Sequence, residues 1–105
     1  MVEVADPLDV AYVAIGAKRA LVEFGGIGRS RFEGEQGYIQ VCIDQVGYLD
    51  QVWQEQAGQF PGVWCYEVAE PFGYAYGVHR LQGGTSAEAE QILRDIVQAA
   101  IERTG

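Results

Sequence analysis

The stretch Pro61–Leu81, PGVWCYEVAEPFGYAYGVHRL, decides the predicted fold. Two runs within it, 63–68 and 74–78, are rich in β-branched and aromatic residues, a composition typical of β-strands. Between them lies the tetrapeptide EPFG at 70–73. Proline pre-sets the first corner of a type I turn, and Gly73 can adopt the left-handed conformation that closes a three-residue loop. The stretch therefore predicts a β-hairpin.

The predicted register sorts the hairpin into two faces. Pairing Val68 with Tyr76 gathers the large apolar side chains, and a slip of one residue would mix the two faces. We expect the apolar face to meet the core and the smaller face to admit a backbone or a partner. The apolar face holds Trp64, Tyr66, Val68, Tyr74, Tyr76 and Val78, and the smaller face holds Cys65, Glu67, Ala69, Ala75, Gly77 and His79.

Three further segments carry helical signals. Asp6-Pro7 is a favourable helix start, and apolar residues at helical spacing predict a first helix at about 7–24, ended by Gly25-Gly26. A second amphipathic helix is predicted at about 45–57. Thr85 and Glu88 form a capping-box pattern that begins a third helix at about 86–103.

Two further strands complete the prediction, a short edge strand at 29–33 and a strand at 38–43. The order helix, strand, strand, helix, hairpin, helix predicts an α+β, two-layer domain over residues 1–105. In it, three helices pack on one face of a small, mostly antiparallel sheet of three to four strands.

Charge is unevenly distributed along the chain, whose net charge is −8. No Lys or Arg occurs from Phe32 to His79, a window that holds seven acidic residues. Acidic surfaces repel nucleic acid and attract basic proteins, so we expect a protein partner and no direct nucleic-acid binding. The alternative interpretation is a solvated surface that only aids solubility.

One face of the predicted hairpin offers a candidate chemical site. The register places Cys65 opposite His79, with Glu67 and Cys42 on the same side. A Cys-His pair can form a nucleophile, and two cysteines with a histidine can bind zinc. However, C-x2-C spacing is absent and there is one histidine. We therefore expect packing residues here, with no catalytic group, no metal and no cofactor.

The remaining features point to an interaction protein in the cytoplasm. The two cysteines come without a secretion signal, and no apolar run approaches the roughly 20 residues of a membrane span. We expect an inhibitor that blocks a basic surface of another protein. Immunity proteins and phage-borne anti-defence or anti-CRISPR proteins share this size and charge, and the analogy rests on those alone. The expected partner-binding residues are Glu33, Glu35, Asp50, Glu55, Glu67, Glu70 and Phe72.

Two alternatives come from different functional classes. The first is a homo-oligomeric structural subunit, most simply a homodimer, that associates through the small-residue face around Ala69, Ala75 and Gly77. The second is a small ligand- or metal-binding protein that uses the Cys65 and His79 face.

Overall fold

A computed structural model describes residues 7–56, 58 and 63–104, apart from the side chains of Ile27 and Thr104. Over this part of the chain the backbone is helical between short turns and contains no β-strand. The prediction of an α+β fold with a three- to four-stranded sheet is therefore wrong. The helices are α1 (Pro7–Gly28), α2 (Gly34–Ile43), α3 (Val46–Gln56), α4 (Glu70–Leu81) and α5 (Ala89–Thr104). Short 3-10 turns occupy Arg29–Arg31 and Ser86–Glu88, and a π-helical turn, Cys65–Ala69, runs directly into α4.

The predicted hairpin is one helical run. Its buried residues recur every three to four positions, which is the period of a helix and not the alternation of a strand. Aromatic and β-branched residues favour strands only weakly, and packing against other elements overrides that preference. The buried positions are Trp64, Val68, Ala69, Phe72, Gly73, Tyr76, Gly77 and Leu81.

Pro71 marks a change of helix type and not the corner of a turn. The N–H of Glu70 donates to the carbonyl of Cys65, five residues earlier, which is π-helical bonding. A proline has no N–H to donate, and its ring clashes with the carbonyl four residues before it in a regular α-helix. The wider π turn immediately before Pro71 is therefore the place where the chain accommodates the ring.

Helices α1 and α4 approach each other closely at two glycines, Gly16 and Gly73. A Cβ atom on Gly16 would overlap the carbonyl of Glu70, and one on Gly73 would overlap the carbonyl of Val13. Because contacts advance in the same direction along both helices, from Asp9 with Cys65 to Arg31 with Leu81, the two helices run parallel. Glycine at 73 thus permits close approach of two backbones.

The other two predicted strands are also wrong, because neither segment forms a strand. Residues 29–33 begin with a 3-10 turn, and 38–43 form most of α2. Tyr38 and Cys42, four residues apart, are fully buried, and the Tyr38 hydroxyl donates to the carbonyl of Ala17 at 2.7 Å. This hydrogen bond fixes α2 across α1.

The three helices expected from periodicity and capping are confirmed as α1, α3 and α5. Thr85 caps the last one, since its hydroxyl oxygen accepts from the N–H of Ala87 at 3.3 Å. The predicted end of the first helix at Gly25-Gly26 is wrong, because α1 continues through both glycines to Gly28. Three residues used in these predictions lie outside the described residues: Asp6 at the predicted helix start, Ala57 at the end of the second predicted helix, and Pro61 at the start of the predicted hairpin stretch.

No helix within the described ranges combines the length and the apolar content that a bilayer span requires.

Candidate interaction surface

Most of the acidic residues expected to bind a partner are neutralised within the molecule. The lysine and the arginines that pair with them lie outside residues 32–79, the acidic window. Folding therefore cancels much of the charge segregation that is visible along the chain. The Arg94 guanidinium donates to Glu55 and lowers the pKa of that carboxyl. The four ion pairs are Lys18–Glu35 at 3.5 Å, Arg19–Glu70 at 2.9 Å, Arg94–Glu55 at 3.1 Å and Arg103–Glu67 at 2.7 Å.

The other three expected residues lie in different settings. Glu33 is exposed at the start of α2, and Asp50 is half-buried on α3. Phe72 is fully buried and stacks on Tyr76, with ring centroids 5.5 Å apart. Phe72 therefore belongs to the core, where no partner can contact it.

The surplus charge of the folded protein is nonetheless negative. The chain has 15 acidic residues against 7 Lys and Arg. Arg31 donates to the Leu81 carbonyl and Arg80 to the Tyr76 hydroxyl, so these cations are engaged as well. Several carboxylates have neutral partners instead of Lys or Arg. These are Glu23, which accepts from Tyr74, Asp44 from Gln40, Asp95 from Gln91 and Glu102 from Gln98.

The predicted pairing of Cys65 with His79 is wrong, because both residues lie on the same helical run. Fourteen positions at about 1.5 Å rise separate them by roughly 21 Å. His79 contacts the Glu88 carboxylate at 3.0 Å, and burial raises the pKa of the Cys42 thiol to about 12. In the described part of the chain, no three His, Cys, Asp or Glu side chains are grouped so that they could hold a metal ion.

A pocket of about 430 Å³ opens where α1 and the π turn begin and α3 ends. We call it the aromatic pocket. Both tryptophans of the chain lie in its wall. Leu8 and Tyr12, four residues apart, come from one side of α1, and the π turn supplies the opposite wall. The lining residues are Leu8, Tyr12, Trp53, Trp64, Cys65 and Tyr66.

The rings of the aromatic pocket form two edge-to-face pairs. Tyr12 and Tyr66 have centroids 5.1 Å apart and planes inclined at 70°. Trp53 and Trp64 are 4.8 Å apart and inclined at 61°. Trp64 is 6% exposed and forms the inner wall, whereas Tyr66 is 66% exposed and forms the rim. Hydrogen bonding to Tyr66 raises the pKa of the Tyr12 phenol above its usual value.

A buried carboxyl group contacts one residue of the pocket wall. Asp9 is 5% exposed, in the first turn of α1, and its Oδ1 accepts from the Cys65 thiol at 3.6 Å. Cys65 lines the pocket, so the Asp9 carboxyl is in contact with a lining residue.

An exposed apolar strip extends from the pocket along α1. Leu8, Ile15 and Val22 are 59%, 54% and 79% exposed and recur every seven residues, so they lie on one side of the helix. We call these three residues the α1 strip. The other large exposed hydrophobic residues of the described chain, Val63 and Tyr66, lie at the pocket end. The seven-residue spacing was the available sequence signal, and it was missed because only the core-facing positions of the first helix were considered.

Comparison with protein-family models, with curated proteins and with solved structures found no match to this chain.

Proposed function

We propose that this protein is an acidic interaction protein that binds a basic surface of another protein and thereby inhibits it. One observation carries the proposal: the large exposed apolar residues collect around the aromatic pocket and along α1 of a strongly acidic molecule. Contiguous exposed apolar surface marks interaction sites, and negative charge accelerates encounter with basic partners.

The proposed mechanism divides the work between charge and aromatic contact. Carboxylates steer the partner during approach, which mainly affects the association rate. Aromatic side chains then supply the buried contact, since Trp and Tyr dominate binding energy in most interfaces. Inhibition follows because the bound protein covers the partner's basic surface. No step requires a catalytic group.

The ion pairs change which carboxylates we assign to steering. Glu35, Glu55, Glu67 and Glu70 already face a Lys or Arg, so a partner would have to compete with those cations. We therefore assign steering to carboxylates that have no such pair. At the two ends of α2 these are Glu33, the residue before the helix, and Asp44, the residue after it, both exposed.

A pair of double charge reversals tests the proposal. The partner is first captured from the source organism, and association of the purified proteins is then measured at several salt concentrations. The double variant Glu33→Lys/Asp44→Lys should slow association about tenfold at low salt and flatten its salt dependence. The matched control is Asp95→Lys/Glu102→Lys on α5, which changes the net charge by the same amount. An association rate that neither double variant alters would contradict the proposal.

A second candidate function is favoured by the α1 strip. Apolar residues repeated every seven positions form the seam of paired helices, so the strip fits a second copy of α1. The small-residue face predicted for self-association does not remain, because Ala69 and Gly77 are buried. A homo-oligomeric subunit would therefore associate through α1.

A further inference from the structure

The rings that line the aromatic pocket favour a positively charged occupant. The face of an aromatic ring carries the negative part of its quadrupole and attracts cations within about 6 Å of the centroid. In both edge-to-face pairs the ring planes are steeply inclined, at 70° and 61°. Each pair therefore sets two rings at a steep angle, and a lining with four Tyr and Trp side chains has the residue types of the aromatic cages that hold ammonium groups.

The Asp9 carboxyl adds to this preference. The pocket lies beside the N-terminal ends of α1 and the π turn, and helix N-termini by themselves favour anions. Asp9 lies in that first turn of α1 and is nearly inaccessible to water, and an ionised carboxylate at this position counters the field of the helix ends. The Cys65 side chain both contacts this carboxyl and lines the pocket.

The chain itself already binds cations on aromatic faces. The Arg19 guanidinium lies 3.8 Å from the centroid of the Tyr74 ring, and Arg80 lies 5.8 Å from the Tyr76 ring. Among the described residues, the six that line the aromatic pocket include no lysine or arginine. The described lining therefore offers no lysine or arginine of its own to the ring faces.

We infer that the aromatic pocket receives a cationic side chain, the ammonium of a lysine or the guanidinium of an arginine, from the partner protein. This inference rests on the proposed function, because a partner with a basic surface supplies such side chains. The acidic protein attracts a basic partner, and the ring faces of the pocket attract cations. Both features favour the same occupant, a cationic side chain of the partner. The cation preference of the pocket can be measured without the partner.

Three probes of similar shape and different charge test the preference. Choline is cationic, 3,3-dimethyl-1-butanol is neutral and 3,3-dimethylbutanoate is anionic. All three carry a branched group of the same shape. The two indole N–H signals in the NMR spectrum report binding, because both tryptophans line the pocket. Choline should bind at least about tenfold more tightly than the neutral alcohol, and the anion should not bind.

Matched variants locate the binding. Tyr66 is 66% exposed, so Tyr66→Leu should leave the fold intact and weaken choline binding about tenfold. Tyr66→Phe keeps the ring and should retain binding. Tyr48→Leu, on α3 and outside the pocket lining, is the control and should leave choline binding unchanged. Asp9→Asn should lower the ratio of choline to alcohol affinity, and the Tyr66 variants keep the test decisive if this buried substitution unfolds the protein.

Each contrary result has a defined meaning. Equal affinity for choline and the alcohol would mean that the pocket binds apolar groups regardless of charge. Tighter binding of the anion would mean that the field of the helix N-termini outweighs the attraction of the rings for cations. Either result, or no signal change with any probe, overturns the inference. Partner binding that Tyr66→Leu leaves unchanged would also overturn it, whereas the proposed function fails only if neither double charge reversal alters the association rate.

Discussion

Substituting Gly73 by alanine tests the closest contact in the fold. The added methyl group would overlap the backbone carbonyl of Val13, and a backbone cannot rotate away as a side chain can. Helices α1 and α4 must therefore separate, which loosens the packing of Phe72 and Tyr76 as well. We expect Gly73→Ala to destabilise the protein although alanine is the better helix former.

The magnitude follows from two opposing effects. Overpacking a tight site costs about 1–3 kcal/mol, and a rigid backbone neighbour places this site at the upper end of that range. Replacing glycine by alanine within a helix raises the free energy of unfolding by up to about 1 kcal/mol, because alanine has the higher helix propensity. The net loss should be about 2 kcal/mol, which lowers the midpoint of thermal unfolding by roughly 8–16 °C for a domain of this size.

Two other glycines provide matched controls. A Cβ on Gly26 in α1 or on Gly47 in α3 meets no atom within 4 Å. Gly26→Ala and Gly47→Ala should therefore leave stability unchanged or raise it by up to about 1 kcal/mol. Urea unfolding followed by circular dichroism measures all three variants. If Gly73→Ala is as stable as the controls, α1 and α4 do not meet at this glycine and the packing described above is wrong.

Two further predictions concern a buried thiol and the α1 strip. Because the pKa of Cys42 is raised from 9.0 to about 12, the unfolded chain loses this proton first as the pH rises. The free energy of unfolding should then fall by up to about 1.4 kcal/mol per pH unit between these values, and the fall should be smaller in Cys42→Ala. A Cys42→Ala slope equal to that of the unaltered protein in urea titrations would rule this out. The second candidate function predicts a concentration-dependent dimer in sedimentation experiments that Ile15→Lys dissociates and Gln98→Lys, on α5, does not. A monomer at every accessible concentration would remove that candidate.

The helices were predictable where local signals agreed. Asp9 in the first turn of α1, the Thr85 cap and the spacing of apolar residues all point to a helix in the same place. Within 61–81 the signals disagreed, because the residue types favour strands while the buried positions follow a helical period. A turn-forming sequence around Pro71 decided the prediction, although the same residues fit the change from π to α geometry.

The interaction surface was harder to predict because it depends on contacts between distant segments. The acidic window is real in the sequence, but the ion partners of Glu55 and Glu67 come from α5. The aromatic pocket combines α1, α3 and the π turn, and no pattern within one segment indicates that Tyr12 meets Tyr66. Only the side of α1 that carries Ile15 could have been recognised from spacing alone.

The parallel pairing of α1 and α4 constrains how the chain reaches its native state. Arg19 and Glu70 are 51 residues apart, and Asp9 and Cys65 are 56 apart, so the central interface closes a long loop. Such closure carries an entropic cost before any contact offsets it, and native contacts distant in sequence slow folding. During synthesis on the ribosome, α1 cannot pack against α4 until residues up to Leu81 have emerged. A fragment that stops after α3 would therefore expose Val13, Ala17 and Leu21 to water, and we expect the protein to fold after synthesis of α4 and not progressively from its N-terminus.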